Sequence, residues 1–325
     1  MTKALIFGLG GVGAVYGWIL EHAGVEVTAV CRSNYDVVKQ EGITIRSKIF
    51  GSVQAKPRAV STVIDAAVHG PFDYVIVCSK AFPGTSVMIK DAVTAETAIV
   101  LAQNGIGIED EYAHAYPSNA IISGVVYCPA TQVELGVVEM GPLERFEIGT
   151  YPATAPPAAK AKAEQLSQLW QEGGATCPVF DDVQGQRWIK VSVNAAWNSM
   201  TALTLCDDAN LLRSSDAAED MIFKVMKQVA LIAKAAGHDV VTEEVIQHQI
   251  DRPRERLETG GKEPSMLTDV RFGRALEVEA ILGNTVRIAR ELKVEVPYLE
   301  LLYVLTKGLD FAIAKSGGWR PIARH

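Results

Sequence analysis

The first half of the chain alternates short apolar runs with stretches of helical spacing. The runs are rich in Val and Ile: KALIF (from Lys3), VEVTAVC (from Val25), DYVIVC (from Asp73), AIVLAQ (from Ala98) and AIISGVVY (from Ala120). Continuous apolar strands separated by helices indicate a parallel sheet that is covered on both faces. We therefore predict an α/β domain over residues 1–185.

Two further segments complete this picture. The sequence GITIRSKIFGSVQAKPRAV (42–60) predicts an inserted antiparallel hairpin with Gly51 at its turn. A helix is predicted near Lys160 to Gln171, and a last strand near TCPVF (176–180). The polar sequence DDVQGQ (181–186) follows and is our candidate domain junction.

After Gln186 the strand signals fade and helical periodicity takes over. Gly237 is a plausible C-terminal stop for a helix whose apolar positions are Ile222, Val225, Met226, Val229 and Ala233. A second helix is predicted over LEVEAILGNTVRIARELKV (276–294), before Pro297. Residues 186–325 are therefore predicted to form an all-α domain.

One predicted helix, QRWIKVSVNAAWNSMTAL (186–203), carries a polar stripe. Lys190, Asn194 and Asn198 fall at i, i+4 and i+8, so they line one face of an otherwise apolar helix. The stripe could be a solvated face or an internal polar network. Trp188 and Trp197 argue against full exposure, and we expect the three side chains to face a substrate.

Composition excludes several classes of protein. The chain has 325 residues, of which 48% are hydrophobic and 21% charged. A net charge of −7, a pI of about 5.5 and the lack of a long basic run argue against nucleic acid or an anionic membrane as partner. The uncharged stretch Ala4–Leu20 contains five glycines, so a strand, a glycine turn and a helix explain it better than a membrane span or signal peptide.

The reactive residue types show no familiar spacing. The five cysteines are widely spread with no Cys-x-x-Cys pair, which is typical of reduced thiols in a cytoplasmic protein. The six histidines lack metal-ligand spacing, and no Gly-x-Ser-x-Gly motif occurs. We expect neither a metal site nor a serine or cysteine nucleophile.

The sequence GLGGVG (8–13) matches the G-x-G-x-x-G fingerprint of dinucleotide-binding domains. It comprises Gly8, Leu9, Gly10, Gly11, Val12 and Gly13. The motif follows a predicted strand and opens a predicted helix, where glycines let backbone N–H groups approach a pyrophosphate. A glycine-rich turn without ligand is the alternative. The context favours a Rossmann-type cofactor site.

Polar residues follow other predicted strands of the same sheet. Arg32 ends the second strand, where an arginine suits the 2′-phosphate of NADPH and an acidic residue would suit NAD. Asp36 lies nearby but falls within the next helix. Lys80 and Asn104 also follow strands, at the edge where ligands of parallel sheets bind.

Together these motifs resemble the ketopantoate reductases (2-dehydropantoate 2-reductases) over nearly the whole chain. The resemblance rests on GLGGVG, Arg32, CSKA with Lys80, QNGIG with Asn104, KVSVNAAWN, and PSMLTDV followed by Glu277. It implies a Rossmann-type domain with an all-α C-terminal domain. It also implies NADPH-dependent reduction of a 2-oxo acid to a 2-hydroxy acid by direct hydride transfer, as in pantothenate biosynthesis.

The resemblance also assigns roles to residues. Lys190 would be the general acid and contact substrate, and Glu277 would bind Lys190 or a ribose or substrate hydroxyl. The implied substrate-binding residues are Asn104, Asn194, Asn198 and Ser265, and the implied cofactor-binding residues beyond the glycine loop are Arg32, Lys80, Asn104, Ala130 and Glu277.

Two features of the sequence bear on the roles that the resemblance implies. Asp208 stands where the family has a further substrate-binding asparagine, and a carboxylate there should disfavour an anionic substrate unless it accepts a bond from a hydroxyl. Ser265 and Glu277 lie twelve residues apart, about 18 Å along a straight helix. Both can line one small site only if the chain bends, so we predict a helix break near Gly273.

Three alternatives stay open. A β-hydroxyacid dehydrogenase shares a Lys-x-x-x-Asn pair, but its expected Gly-Gly loop near position 124 is here ISGVVYCPA. A non-catalytic NADP(H) sensor would need the glycine loop and Arg32 but not the Lys190 stripe. A reductase of another bulky ketone or 2-oxo acid would use Asp208 for specificity. The expected partners are a small-molecule 2-oxo acid and, as an open question, a second copy in a homodimer.

Overall fold

The computed structural model describes residues 1–315, which divide into two compact units. The first comprises Met1–Gln103 and Ile108–Val183, and the second comprises Asn104–Gly107 and the chain from Gln184 onward. Residues 316–325, the end of the predicted second domain, lie outside the described residues. Each unit has a hydrophobic core of its own.

The first unit is built on a seven-stranded sheet in the order β11-β8-β7-β6-β1-β2-β5. Six neighbouring strands are parallel, and only β11 runs antiparallel, against β8. Its strands are β1 (Lys3–Phe7), β2 (Glu26–Val30), β5 (Arg58–Val60), β6 (Tyr74–Val77), β7 (Ala98–Leu101), β8 (Ile121–Tyr127) and β11 (Arg145–Tyr151). The predicted Rossmann-type α/β architecture is confirmed.

A second, four-stranded sheet lies in the same unit, in the order β4-β3-β10-β9. Its strands are β3 (Ile43–Ser47), β4 (Gly51–Ala55), β9 (Ala130–Glu134) and β10 (Val137–Met140). The predicted hairpin is confirmed as β3 and β4, with Gly51 at a φ of +75° just after the turn. The last residues of that segment instead form β5, which joins the large sheet.

The strand predicted at TCPVF is wrong. Thr176 and Pro178 accept backbone hydrogen bonds from β11, but only Val179 makes a β-bridge, to Ile148. Pro178 has no N–H to donate, so a regular ladder cannot continue through it. The segment therefore runs beside β11 as irregular chain.

Helices flank the sheets of the first unit. They are α1 (Gly11–His22), α2 (Tyr35–Glu41), α3 (Val63–Ala67), α4 (Thr85–Met88), α5 (Glu109–Ala115) and α6 (Pro157–Glu172), with a 3₁₀ turn at Lys90–Ala92. The core joins α1 and α6 to the sheet through three buried rings, Tyr16, Phe146 and Trp170, whose centroids lie 4.9–5.3 Å apart. This packing fixes α1, and with it the loop that precedes α1.

The second unit is helical throughout the part that the structure describes. Its α-helices are α7 (Gln184–Val193), α8 (Ser199–Thr204), α9 (Asp208–Arg213), α10 (Ala218–Ala235), α11 (Glu243–Arg254), α12 (Ser265–Arg271), α13 (Asn284–Glu291) and α14 (Pro297–Lys315). The predicted stop of α10 is confirmed, since Gly237 has a φ of +92°. Among residues 1–315, no helix is long and apolar enough to cross a membrane.

Two π-helical turns interrupt this unit. The first, π1 (Asn194–Asn198), joins α7 to α8, and the second, π2 (Glu279–Gly283), leads into α13. The two turns pack against each other. The predicted break near Gly273 is also confirmed: α12 ends at Arg271, Gly273 has a φ of +63°, and the chain is irregular until after Glu277.

Candidate functional site

The glycine loop (8–13) has the shape of a cradle. Gly8 has a φ of +101°, and a Cβ there would lie 2.8 Å from the backbone nitrogen of Ser79. A Cβ at Gly13 would lie 2.1 Å from the carbonyl oxygen of Gly8. At Gly10, in contrast, a Cβ would meet no atom within 4 Å. Glycines thus close the loop on the protein side and leave its outer side open to a ligand.

The loop delivers backbone donors to that open side. Gly10 is the N-cap of α1, and no side chain caps the helix. The first helical hydrogen bond runs from Ala14 N to Gly10 O, so the N–H groups of the first turn have no partner within the helix. A twelve-residue helix with open first-turn donors is suited to an anion such as a pyrophosphate. A dinucleotide therefore fits the residues present.

Two other predicted cofactor residues lie beside this loop. The carbonyl oxygen of Ala130 would be 2.3 Å from a Cβ on Gly11, so the backbone at the start of β9 abuts the loop directly. Lys80 follows Ser79, whose backbone packs against Gly8. The first unit thus brings Ala130 and Lys80 to the glycine loop.

Arg32 lies just beyond β2, as predicted, with its side chain exposed. Asp36 lies in the first turn of α2 rather than at the strand tip. Asn34, which no sequence motif singles out, is buried between them. Its Nδ2 donates to Leu9 O at 2.8 Å and to Gln132 Oε1 at 2.9 Å. Asn34 therefore ties the Arg32 turn to the glycine loop.

The polar stripe of the second unit spans the junction of α7 and π1. Asn194 and Asn198 are buried, with only 5% of each residue exposed, and Lys190 is half-buried. The solvated-face interpretation is therefore excluded for the two asparagines. A π turn is wider than an α turn and often marks a functional site in a helix. Here it carries both asparagines at its two ends.

Ser265 lies directly beside this stripe. Asn198 Nδ2 donates to Ser265 Oγ at 3.2 Å. Ser265 is the first residue of α12, and no side chain caps that helix. The structure thus brings an amide and a hydroxyl together, and both are groups that can bind a carboxylate.

Asn104 and Glu277 also meet within the second unit. Asn104 Nδ2 donates to Glu277 Oε2 at 3.3 Å. The segment Asn104–Gly107 is anchored there by three further bonds: Arg187 Nη1 to Gly105 O (2.9 Å), Ile106 N to Ala280 O (3.1 Å) and Asn284 Nδ2 to Ile106 O (2.8 Å). Glu277 is buried and stands just before π2.

Asp208 is buried at the start of α9 and is bonded on both carboxylate oxygens. Oδ1 accepts from Lys262 N at 2.7 Å, and Oδ2 pairs with the guanidinium of Arg256. The pairing of Arg256 with Asp208 could not be predicted from the sequence, because the two residues lie 48 positions apart in the chain.

Burial keeps the thiols of the first unit protonated. It raises the pKa of Cys31 to about 11, and burial together with the nearby Glu144 raises the pKa of Cys128 to about 12. Burial likewise raises the pKa of Cys78 and Cys177 well above the ordinary value. In the described residues, no group of three or more His, Cys, Asp or Glu side chains is arranged to hold a metal ion.

An α/β unit with an open glycine cradle, followed by a helical unit with two buried asparagines and a half-buried lysine, is typical of dinucleotide-dependent oxidoreductases. The family model described as Ketopantoate reductase PanE/ApbA matches residues 4–153, and the model of its C-terminal part matches residues 182–310. The chain belongs to the ketopantoate reductase family.

Individual relatives agree with this assignment. The chain is 26% identical over 311 residues to a 2-dehydropantoate 2-reductase of Nostoc sp., covering 95% of each sequence. It is similar to the crystal structure of 2-dehydropantoate 2-reductase from Methylococcus capsulatus, with a TM-score of 0.83, 30% identity, and 96% and 98% of the two chains covered.

A more distant structure shares the fold. The ternary structure of D-mandelate dehydrogenase with NADH and anilino(oxo)acetate matches with a TM-score of 0.83 at 21% identity, covering 96% of this chain and all of that one. The same architecture therefore occurs in a dehydrogenase named for a different 2-hydroxy acid.

Proposed function

We propose that this protein is an NADPH-dependent reductase that converts a 2-oxo acid to the 2-hydroxy acid, with 2-dehydropantoate as the first candidate substrate. The observation that carries the proposal is the buried Asn194–Asn198 pair beside Lys190 and Ser265 in a chain of the ketopantoate reductase family. Asn198 and Ser265 bond to each other, and an amide and a hydroxyl held together in this way can bind a polar ligand such as a carboxylate.

The first unit would hold NADPH. First-turn N–H groups of α1 would bind the pyrophosphate, and Arg32 would pair with the 2′-phosphate. When bound, NADPH supplies a hydride to the carbonyl carbon of the substrate. The exposed Arg32 side chain has no competing carboxylate at its strand tip, since Asp36 lies in α2. These features favour NADPH over NADH.

The second unit would hold the 2-oxo acid and supply the proton. Asn198 and Ser265 would bind the carboxylate, and Asn194 would orient the oxygen atoms nearer the carbonyl. Negative charge develops on the carbonyl oxygen as the hydride arrives, and the Lys190 ammonium would donate a proton to it. Glu277 and Asn104 would hold a hydroxyl of the ribose or substrate near that centre.

Asp208 favours a second candidate, a 2-oxo acid other than 2-dehydropantoate. Its carboxylate replaces the neutral amide expected from the family resemblance, and its pairing with Arg256 brings a guanidinium to the same place. A site with this ion pair would therefore differ from one with asparagine at the same position. This second candidate differs from the first in the identity of the 2-oxo acid, and the reaction is the same.

The test is NADPH oxidation with 2-dehydropantoate and a panel of other 2-oxo acids, for wild type and Lys190→Ala. We expect the variant to lose about two to four orders of magnitude in kcat while it binds NADPH as wild type does. Lys227→Ala is the matched control, because Lys227 is an exposed lysine of α10 paired with Glu243. Activity that survives in Lys190→Ala would refute the assigned proton donor.

Coenzyme choice is tested separately with Arg32→Gln. We expect the preference for NADPH over NADH, measured as the ratio of kcat/KM values, to fall at least tenfold, because the 2′-phosphate loses its cation. Wild type that binds NADPH but reduces no acid in the panel would point to the sensor alternative.

A further inference from the structure

Asp208 makes three hydrogen bonds to one segment of chain, the α11–α12 loop (255–264). Its Oδ1 accepts from Lys262 N at 2.7 Å, and its own N–H donates to Lys262 O at 3.1 Å. Its Oδ2 pairs with Arg256 at the other end of the loop. One buried side chain thus holds both ends of an irregular segment.

Other contacts near Asp208 also hold the α11–α12 loop in place. A Cβ on Gly261 would lie 2.1 Å from Asp207 Oδ1, so the loop passes close to the start of α9. Further on, Arg271 forms an ion pair with Glu263 at 2.8 Å and donates to Leu205 O. The loop is therefore linked to the 205–208 segment at Gly261 and Lys262 directly, and at Glu263 through Arg271.

Ser265 directly follows the α11–α12 loop. Ser265 Oγ accepts a hydrogen bond from Asn198 Nδ2. Asn198 and Asp208 both belong to the stretch of chain from π1 to α9. Ser265 is thus held from two sides: through its hydroxyl by Asn198, and through its preceding backbone by Asp208. A shift of the loop at Lys262 would be passed on to Ser265 through Glu263 and Pro264.

We propose that Asp208 is a positioning residue for substrate recognition: it fixes the α11–α12 loop so that Ser265 is presented to the substrate carboxylate. This inference rests on the proposed function. It replaces the expectation that Asp208 contacts the substrate itself, because both of its carboxylate oxygens already accept bonds from the protein. Pairing with Arg256 also offsets the charge that would repel an anionic substrate.

The structural arm of the test is hydrogen exchange of the whole protein, wild type against Asp208→Asn. The amide variant loses the ion pair to Arg256 and keeps the shape of the side chain. We expect amides of residues 255–263 to exchange at least tenfold faster, because the loop opens more often when one of its hydrogen-bonded contacts is lost. Asp239→Asn, which breaks the exposed Lys234–Asp239 pair, is the matched control. Unchanged exchange in the loop would overturn the proposal whatever the activity.

The functional arm is a double-mutant cycle with Ser265→Ala. We expect Asp208→Asn to raise the KM for the 2-oxo acid about tenfold, with kcat and the Kd for NADPH within about twofold of wild type. The double variant should have the KM of Ser265→Ala alone, because the two residues act through the same hydroxyl. Additive effects, or a changed acid preference in the Ser265→Ala background, would overturn positioning in favour of direct contact.

Arg256→Gln guards against a misfolded Asp208 variant. It removes the same ion pair from the other side and should reproduce both the faster exchange and the raised KM. A wild type that reduces no 2-oxo acid would overturn the proposed function and with it the substrate role of Asp208. Unchanged hydrogen exchange would overturn only the proposal that Asp208 fixes the α11–α12 loop. The two failures are therefore distinguishable.

Discussion

The glycine loop offers a matched pair of substitutions that separate folding from cofactor binding. Gly10→Ala places a methyl group where no atom lies within 4 Å, on a backbone with a φ of −86° that alanine tolerates. Gly13→Ala places the same group 2.1 Å from Gly8 O. The two variants add one identical carbon a few residues apart, and only the second meets the protein.

The magnitudes follow from these contacts. Alanine is a poorer N-cap than glycine but leaves the unfolded chain fewer conformations, so Gly10→Ala should change the free energy of unfolding by less than about 1 kcal/mol. The clash in Gly13→Ala requires a backbone shift, for which overpacking costs suggest about 1–3 kcal/mol. For a domain the size of the first unit, a loss of about 2 kcal/mol in the free energy of unfolding corresponds to a Tm lowered by roughly 4–8 °C.

Cofactor binding should respond differently from stability. The methyl group of Gly10→Ala would stand where a pyrophosphate approaches the first-turn N–H groups, so we expect the Kd for NADPH to rise about 10- to 100-fold, or about 1.4–2.8 kcal/mol. The assay combines thermal melting without cofactor and titration of NADPH fluorescence. Gly10→Ala that binds NADPH as tightly as wild type would refute the placement of the pyrophosphate on this face of the loop.

Three further outcomes are expected. Asn34→Ala should raise the Kd for NADPH and cost about 1–3 kcal/mol in unfolding experiments, because it strands a buried carbonyl of the glycine loop; unchanged affinity would contradict this. Glu277→Gln should keep the Tm within about 2 °C but lower kcat/KM at least tenfold, since an amide replaces the carboxylate that accepts from Asn104; full activity would exclude a role for its charge. Cys31 and Cys128, whose pKa values burial raises to about 11 and 12, should react with Ellman's reagent at pH 8 only after unfolding, and rapid reaction in the native protein would show that their shielding is overstated.

The elements that could be predicted were those with a strong local pattern. Continuous Val/Ile runs mark β1, β2, β6, β7 and β8, because strands buried on both faces need apolar residues at every position. The short strands β9 and β10 lack such runs, and β10 pairs with β3 about 90 residues earlier in the chain. Their pairing depends on tertiary contacts that no local pattern records.

The candidate site divides in the same way. Spacing alone predicts that Lys190, Asn194 and Asn198 lie on one helix face. The break before Glu277 was predictable because Ser265 and Glu277 are too far apart along a straight helix to line one site. The two π turns left no mark in the sequence, because they arise where packed helices adjust to each other. Arg256 and Asn34 were invisible for a related reason: each matters through a partner that is remote in sequence.

The segment Asn104–Gly107 has a consequence for the modularity of this fold. It is encoded in the middle of the α/β half, yet it completes the helical unit, where it supplies backbone acceptors to Arg187 and Asn284. A gene fragment that begins at residue 184 would lack this piece, and the buried Arg187 would lose one of its acceptors. An exchange of the C-terminal half between relatives would therefore have to include these four residues to keep both hydrogen bonds.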